Sequence, residues 1–392
     1  MPPSFAWGGM EHPLVTFASH TLVTGDKSQV DVAFHEMTHS WFGNDVGCQN
    51  WNNFWLNEGL NTFMERKVTA ALRGIEFAKI EYFTGNTSMY YGDMLYFGVD
   101  NSYSSLFPNI SDANPEDSFS GVPYEKGSQF VYFMEMLIGE DAMQRLLRLY
   151  IDTFAQTAIE SIAFKMLYES FVNETFENAT DIINMTQWDT WVYGPGLPPV
   201  TLDFRTNELE EAKALATAYA ATTANESSPV NYTIFFDYFS SQKVAFVQQL
   251  SIIETVNADL LSFIDSDLNL TFIADPRVKT QWFVLGINKG YEMVLEPAYV
   301  WIGEQGRNAY VKSIFQAMVD AGNCDMAQMW FTDYESFYNS YVIGTVGSVL
   351  EACDESVSSS EPPASAPTSE ALMPPITMFP WITGILFGFF VF

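Results

Sequence analysis

The sequence predicts a mostly α-helical protein with two folded domains, and the first of them also contains a small β part. Its 392 residues leave room for two or three domains with a sizeable core. After Val30, apolar residues recur mostly at helical spacing. A linker rich in Gly and Pro at its start, over residues 195–206, divides the helical stretches because those residues do not continue a helix.

The domain boundaries follow from this pattern. The first domain is predicted over residues 1–194 and starts with short strands over residues 4–10 and 14–19. The second is predicted over residues 207–351, where helical segments alternate with Asp, Asn and Gly turns in the manner of stacked helix pairs. The clearest helical ranges are 54–72, 127–139, 141–154, 241–250, 275–288, 292–305 and 307–321.

One motif of the first domain carries chemistry. His35-Glu36-Met37-Thr38-His39 is followed, after eighteen residues, by Glu58. On a helix, His35 and His39 stand one turn apart, so both imidazoles can reach one metal ion, and Glu58 supplies a third ligand. Glu36 stands beside them, where a carboxylate can take the proton of an attacking water. This spacing is typical of a one-zinc peptidase with an open fourth position, and it predicts one Zn²⁺ per chain.

A simpler interpretation is a surface helix with two solvated His residues. The chain contains only four His, so a chance match to the motif is expected in roughly a few chains per thousand. Ser28 and Asp31 have the spacing of a capping box before the motif. Gly43 is expected to end the helix. This helical context favours the metal site.

The composition excludes some classes of function. With 48 Asp and Glu against 17 Lys and Arg, the net charge is −31, which argues against nucleic acid as a partner. The excess acid could attract cationic peptides, or it could form an ordinary solvated surface. Cys324 and Cys353 could form a disulfide in an oxidising compartment. Cys48 would then be unpaired, near the helices of the zinc site. The sequence alone does not settle this pairing.

The end of the chain predicts a surface location. A Ser/Pro-rich spacer over residues 352–375 precedes an apolar tail over 376–392, which together resemble a signal for GPI attachment at the cell surface. The alternatives are a single-pass membrane anchor, a core helix and a cytoplasmic protein. A secreted route is also indicated by eight glycosylation sequons, at Asn86, Asn109, Asn173, Asn178, Asn184, Asn225, Asn231 and Asn269. Residues 1–7 lack the features of a signal peptide, which suggests an incomplete chain.

Several motifs together resemble those of the gluzincin zinc aminopeptidases. They are the zinc motif, Gly8-Gly9-Met10-Glu11-His12, Asn57-Glu58-Gly59, Pro123-Tyr124-Glu125-Lys126-Gly127 and Glu304-Gln305-Gly306-Arg307. The finer resemblance is to the branch of leukotriene A hydrolase and aminopeptidase B, and it covers nearly all of residues 3–350. It implies a thermolysin-like zinc catalytic domain followed by an α-helical repeat domain of armadillo or HEAT type. It also implies an aminopeptidase acting on peptides with a free N-terminus.

The resemblance assigns roles to the matched residues. Glu11 would anchor the substrate ammonium, while the Gly8, Gly9 and Met10 backbone would lie along an extended peptide. Tyr124 would stabilise the oxyanion, with Glu36 as general base. Arg307 matches an Arg that holds substrate carboxylates.

The sequence also departs from the family pattern. His12 stands where the family usually has Asn, and an N-terminal β-rich domain is absent from the sequence. The hydrolase branch opens an epoxide with an Asp whose position falls on Glu116, and one of its Tyr positions falls on Phe119. The Lys that assists the carboxylate-binding Arg in that branch falls on Ala309. Epoxide hydrolysis in the same site and an inactive, zinc-bearing, peptide-binding fragment are therefore retained as alternative functions. The oligomeric state stays open.

Overall fold

Helices dominate the computed structural model, which describes residues 1–111, 113–222 and 231–358. The helices before the predicted linker are α1 Val30–Thr38, α2 Trp55–Arg73, α3 Ile75–Ser88, α4 Leu95–Phe97, α5 Val122–Ile138, α6 Glu140–Phe154, α7 Ser161–Thr175, α8 Ala179–Thr186 and α9 Trp188–Tyr193. Those after it are α10 Asn207–Ala220, α11 Ile234–Asp237, α12 Ser240–Ile252, α13 Ala258–Leu268, α14 Pro276–Asn288, α15 Leu295–Glu304, α16 Asn308–Asp320, α17 Cys324–Tyr334 and α18 Ser340–Ser358. The predicted fold class is correct.

The β part consists of very short strands. In chain order they are β1 Gly9–Met10, β2 Phe17–Ala18, β3 Val46–Cys48 and β4 Thr157–Ile159. β1 and β2 pair antiparallel, while β3 and β4 pair in parallel. The two predicted strands at the start of the chain are thus present but reduced to two residues each. β3 contains Cys48, whose thiol is free and half-buried. The backbone N–H of Cys48 donates to the side chain of Asn57, the residue before Glu58.

Buried apolar side chains form two clusters. One joins residues 42–192 around Trp55, Phe130 and Trp191. The other is built mostly from residues 209–350, but it also takes in Ala6 and Ile80 from the first half of the chain. Residues Met1–Ala352 form one compact unit. The domain boundary over residues 195–206 therefore stays a prediction.

Two glycines allow α2 and α5 to cross in close contact. A Cβ atom on Gly59 would lie 2.8 Å from the Gly127 Cα atom, and one on Gly127 would lie 2.9 Å from the Gly59 Cα atom. Only glycine permits backbones to approach this closely. Glu58 directly precedes one partner of the contact, and Tyr124 lies one helical turn before the other. The crossing therefore brings these two predicted site residues to neighbouring positions.

The start and the end of α1 differ from the prediction. Gln29, not Ser28, is the N-cap residue, and no side chain caps the helix. The predicted capping box is wrong because Asp31 pairs with Arg277, at 2.8 Å between Oδ2 and Nη1. The helix ends at Thr38, and the chain turns again before Gly43. His39 still lies one turn from His35, because its backbone N–H donates to the His35 carbonyl at 3.2 Å.

The N-terminal segment is attached to the second half of the chain. The Gly306 N–H donates to the Pro3 carbonyl at 2.8 Å, and the Asn308 N–H donates to the Ala6 carbonyl at 2.7 Å. These bonds flank Arg307 and hold it against Gly8. A side chain from the second half of the chain thereby reaches the predicted site.

The predicted spacer and apolar tail lie outside the described residues from residue 359 onward. The predicted start of the spacer is wrong, because residues 352–358 form the last part of α18. Within the described ranges, the structure contains no helix with the length and apolar character needed to cross a bilayer.

Candidate metal and active site

The predicted ligands converge on one point between α1 and α2. The two Nε2 atoms of His35 and His39 lie 3.1 Å apart. The Glu58 Oε2 atom lies 3.3 Å from the His35 Nε2 atom and 3.4 Å from the His39 Nε2 atom. Metal bonds of about 2.0–2.1 Å in tetrahedral geometry put neighbouring donors about 3.3 Å apart. The three atoms thus form one face of a tetrahedron suited to zinc.

The electrostatics of this face also fit a metal ion. Glu58 is buried, and its Oε2 atom has no hydrogen-bond donor, a costly arrangement unless a cation takes that place. Burial raises the pKa of Glu58, but the His35 and His39 imidazoles beside its carboxylate outweigh burial and bring the pKa to about 2. The carboxylate is therefore charged. The donor set, two imidazoles and one carboxylate, is that of a catalytic zinc site.

Each imidazole is oriented through its other nitrogen. The His35 Nδ1 atom lies 3.0 Å from the Glu65 Oε2 atom, and the His39 Nδ1 atom lies 2.8 Å from the Phe42 carbonyl oxygen. With a neutral ring, Nδ1 is then the donor, so Nε2 presents its lone pair to the metal. Asn61 also donates to the His35 carbonyl at 2.9 Å. These contacts fix the ring orientations before metal binds.

Replacing Glu65 by Gln tests this orientation. The amide keeps the size of the side chain but provides a weaker acceptor for the His35 N–H, so zinc affinity should fall by about 10- to 100-fold. Competition with a chelator of known affinity measures the change. Glu169→Gln on α7, far along the chain from the ligands, is the matched control. Equal zinc affinity in both variants would contradict the role of Glu65.

Glu36 lies on α1 next to His35, but its carboxylate is not one of the three donors that face the metal position. It is buried, and its Oε2 atom has no hydrogen-bond partner. Burial raises its pKa to about 7, the nearby carboxylates of Glu11 and Glu58 add to the shift, and the two imidazoles oppose it. A carboxylate with this pKa can accept a proton near neutral pH. A bound divalent cation would act against the increase.

Glu11 completes a second acidic group beside the ligands. Oxygen atoms of Glu11 and Glu36 and a ring nitrogen of His39 all lie within 4.8 Å of one another. Its Oε1 atom lies 3.8 Å from the His39 Nδ1 atom. The backbone carbonyl of Glu11 accepts a hydrogen bond from Asn44 at 2.6 Å, which holds the residue after β1 in place. Glu11 thus presents a carboxylate a few ångströms from the metal face.

Tyr124 lies beside the ligand His35, at the start of α5. Its ring stacks near His35, at 5.9 Å between centroids, and also contacts Phe54 and Phe119. Burial raises its pKa well above the usual value, and the carboxylates of Glu58 and Glu11 act in the same direction. The hydroxyl therefore keeps its proton at physiological pH and can donate a hydrogen bond.

The glycines of β1 lie directly against functional side chains. A Cβ atom on Gly9 would overlap the Glu36 carboxylate, and one on Gly8 would lie 2.6 Å from an Arg307 Nη atom. Met10 pairs with Phe17 across the two-stranded sheet. All the predicted site residues are therefore brought to one region of the molecule.

Arg307 is held by residues that the sequence did not suggest. Its Nη1 atom donates to the Tyr310 hydroxyl at 2.7 Å, and its guanidinium stacks over the same ring. The Tyr310 hydroxyl in turn donates to Gln29, at the start of α1. The sequence also did not suggest Tyr341, whose ring stacks on Trp7, the residue before Gly8, at 5.6 Å between ring centroids.

Comparison with known proteins identifies the family. Residues 1–191 match a sequence profile described as the Peptidase family M1 domain. Residues 238–350 match a second profile, described as Leukotriene A4 hydrolase, C-terminal. The chain belongs to the M1 peptidase family. Within this family it carries the second domain typical of the leukotriene A4 hydrolase branch, as the sequence predicted.

Relatives and solved structures of the family agree with this assignment. Leucine aminopeptidase 2 of Aspergillus niger is 31% identical over 340 residues, covering 86% of this chain and 54% of the relative. A leukotriene A-4 hydrolase homolog of Botryotinia fuckeliana is 31% identical and is covered over 48% of its length. The structure of yeast LTA4 hydrolase in complex with bestatin matches with a TM-score of 0.81 and 26% identity, covering 89% of this chain and 58% of that one. The chain spans about half the length of the relatives it matches.

Proposed function

We propose that the protein is a zinc-dependent aminopeptidase that removes N-terminal residues from peptides and binds one Zn²⁺ per chain. The observation that carries the proposal is the convergence of the His35, His39 and Glu58 donor atoms at spacings of 3.1–3.4 Å. The Glu36 carboxylate lies beside that face, has one oxygen without a hydrogen-bond partner, and has a pKa raised to about 7 by burial. This combination is needed to activate water for attack on a peptide carbonyl.

Each residue of the site has a separate role in the proposed hydrolysis. Zinc, when bound, supplies Lewis-acid polarisation of the scissile carbonyl. Glu36 takes a proton from the attacking water and transfers it to the leaving amine. Tyr124 donates its O–H to the oxygen that becomes negatively charged. Glu65 and the Phe42 carbonyl keep the two imidazoles in place during turnover.

Glu11 supports removal of single residues from the end of a peptide. Its carboxylate lies beside Glu36 and can pair with the ammonium of a free N-terminus. This pairing would allow only the first peptide bond to reach the metal. The Gly8 and Gly9 backbone provides an edge without side chains along which the peptide can lie.

The epoxide-hydrolase alternative gains no support from the site. Arg307 does lie next to Gly8, where it could meet a carboxylate. However, Glu116 is exposed at a short turn, and Ala309 offers no second cation.

Blocking the substrate N-terminus tests the proposed function. The purified, zinc-loaded protein should hydrolyse an aminoacyl anilide, whereas the same anilide with an acetylated amine should be inert because Glu11 then has no ammonium to bind. Removal of metal by 1,10-phenanthroline should abolish turnover, and added Zn²⁺ should restore it. Equal cleavage of the acetylated anilide would contradict exopeptidase action, and turnover insensitive to chelation would contradict the metal mechanism.

We further propose a cell-surface location through the C-terminal tail, as the pattern of residues 352–392 suggests. Cys324 is disulfide-bonded, which supports an oxidising compartment.

A further inference from the structure

A cleft that shares no lining residue with the zinc site concentrates positive charge in this acidic protein. It has a volume of about 400 Å³ and lies where the segment before α1 meets the C-terminal end of α2 and the N-terminal end of α12. Lys27, Arg73 and Lys243 line it. In a chain with 17 basic and 48 acidic residues, three cations around one cleft indicate a site for an anion.

These cations are available to a ligand. The ion pairs that Lys and Arg side chains form within the described ranges all involve other residues. Arg73 makes one hydrogen bond, to the Lys27 carbonyl at 3.3 Å. Lys243 lies 5.6 Å from the centre of the Phe235 ring. Several N–H donors of the cleft are therefore free to bind an acceptor.

The two acidic residues of the cleft each accept hydrogen bonds through one carboxylate oxygen, while the buried Oδ2 atom of Asp275 has no partner. The Asp26 Oδ1 atom accepts from the Thr24 hydroxyl at 2.6 Å and from the Ser28 N–H at 2.9 Å. The Asp275 Oδ1 atom caps α14 and accepts from Gln29 at 3.2 Å. The lining keeps one excess positive charge, against −31 for the chain.

An independent observation points to a ligand in the same cleft. Tyr238 is a lining residue that is only 5% exposed, yet its hydroxyl has no hydrogen-bond partner. A buried hydroxyl without a partner is costly unless a bound molecule satisfies it. Burial raises the pKa of Tyr238 to about 12, so the group is a donor. α12 begins at Ser240 in the wall, which adds the positive end of a helix dipole.

The rest of the lining is aromatic. Phe77 and Phe239 stack with their ring centroids 3.5 Å apart, and Phe236 is 56% exposed beside them. Such a wall favours a planar ring. We propose that this cleft binds a small soluble phosphate monoester that carries an aromatic ring, with the phosphate held by Arg73, Lys243 and the Tyr238 hydroxyl.

Calorimetric titration of the zinc-loaded protein with phenyl phosphate tests this site. We expect saturable binding that is weakened by about tenfold or more in Arg73→Met and in Lys243→Met, because each variant loses a charged donor. Arg148→Met removes one charge from the exposed face of α6 and should bind like the parent. Tyr238→Phe removes a hydroxyl without changing the packing and should weaken binding by a few fold.

Two results would overturn the proposal. One is the absence of saturable binding to the parent protein. The other is equal affinity in the parent, Arg73→Met and Lys243→Met, which would place the phosphate at the zinc ion or in the diffuse ionic atmosphere. Thermal unfolding of each variant without ligand shows whether the fold is intact. If Arg73→Met and Lys243→Met both fail to fold, Tyr238→Phe alone decides between the two outcomes.

Discussion

Glu36→Gln should lose most of its turnover, by about 10²- to 10⁴-fold, while keeping its zinc. The amide has nearly the shape of the carboxylate, so it fits against Gly9 in the same buried position. It cannot accept a proton, however, and the attacking water would have no base. Zinc should remain because the three ligand atoms belong to other side chains. Steady-state hydrolysis of an aminoacyl anilide and metal analysis of the same sample measure both quantities.

The control for this variant is the same Glu-to-Gln substitution at a position away from the active site. Glu177→Gln alters an exposed carboxylate between α7 and α8 and should leave the kinetics unchanged. The pattern of constants is informative as well. A loss confined to kcat, with KM close to that of the parent, is expected of a group that acts only in the transition state. Parental kcat in a Glu36→Gln protein with stoichiometric zinc would rule out Glu36 as the general base.

The metal ligands could be predicted from the sequence because local geometry determines their spacing. His35 and His39 are four positions apart, and one helical turn brings them to the same side. The prediction survives the early end of α1, since His39 keeps helical backbone angles as the C-cap residue. The position of Glu65 follows from the same local geometry: it lies two turns after Glu58 on α2, so both side chains face α1.

Contacts between distant segments could not be predicted in this way. The sequence pattern predicts a local capping box with Asp31, but the partner of Asp31 is Arg277, 246 positions away. Arg307 was placed at the site only by resemblance, and its contact with Gly8 depends on the hydrogen bonds that attach the N-terminal segment to residues 306–308. Such contacts arise from packing of the whole chain, which local propensities do not contain.

Gly9→Ala should lower kcat/KM by about 100-fold without removing zinc. The added methyl group would overlap the Glu36 carboxylate, so either that side chain or β1 has to move. β1 is held by its pairing with β2, while Glu36 is held on α1 beside two metal ligands. A displacement of about 1 Å at a catalytic group can cost about 100-fold in rate. Overpacking should also cost about 1–3 kcal/mol in the free energy of unfolding.

Two comparisons separate this contact from a general effect of alanine. Gly92→Ala adds the same methyl group where nothing lies within 4 Å, and it should leave activity unchanged. In a double-mutant cycle, Glu36→Ala should relieve most of the stability loss of Gly9→Ala, because it removes the atoms that the methyl group meets. The coupling free energy should be about 1 kcal/mol or more, measured by denaturant unfolding of the four proteins. If the losses in the free energy of unfolding from Gly9→Ala and Glu36→Ala are additive, Gly9 is required for the local backbone conformation and not for its contact with the Glu36 carboxylate.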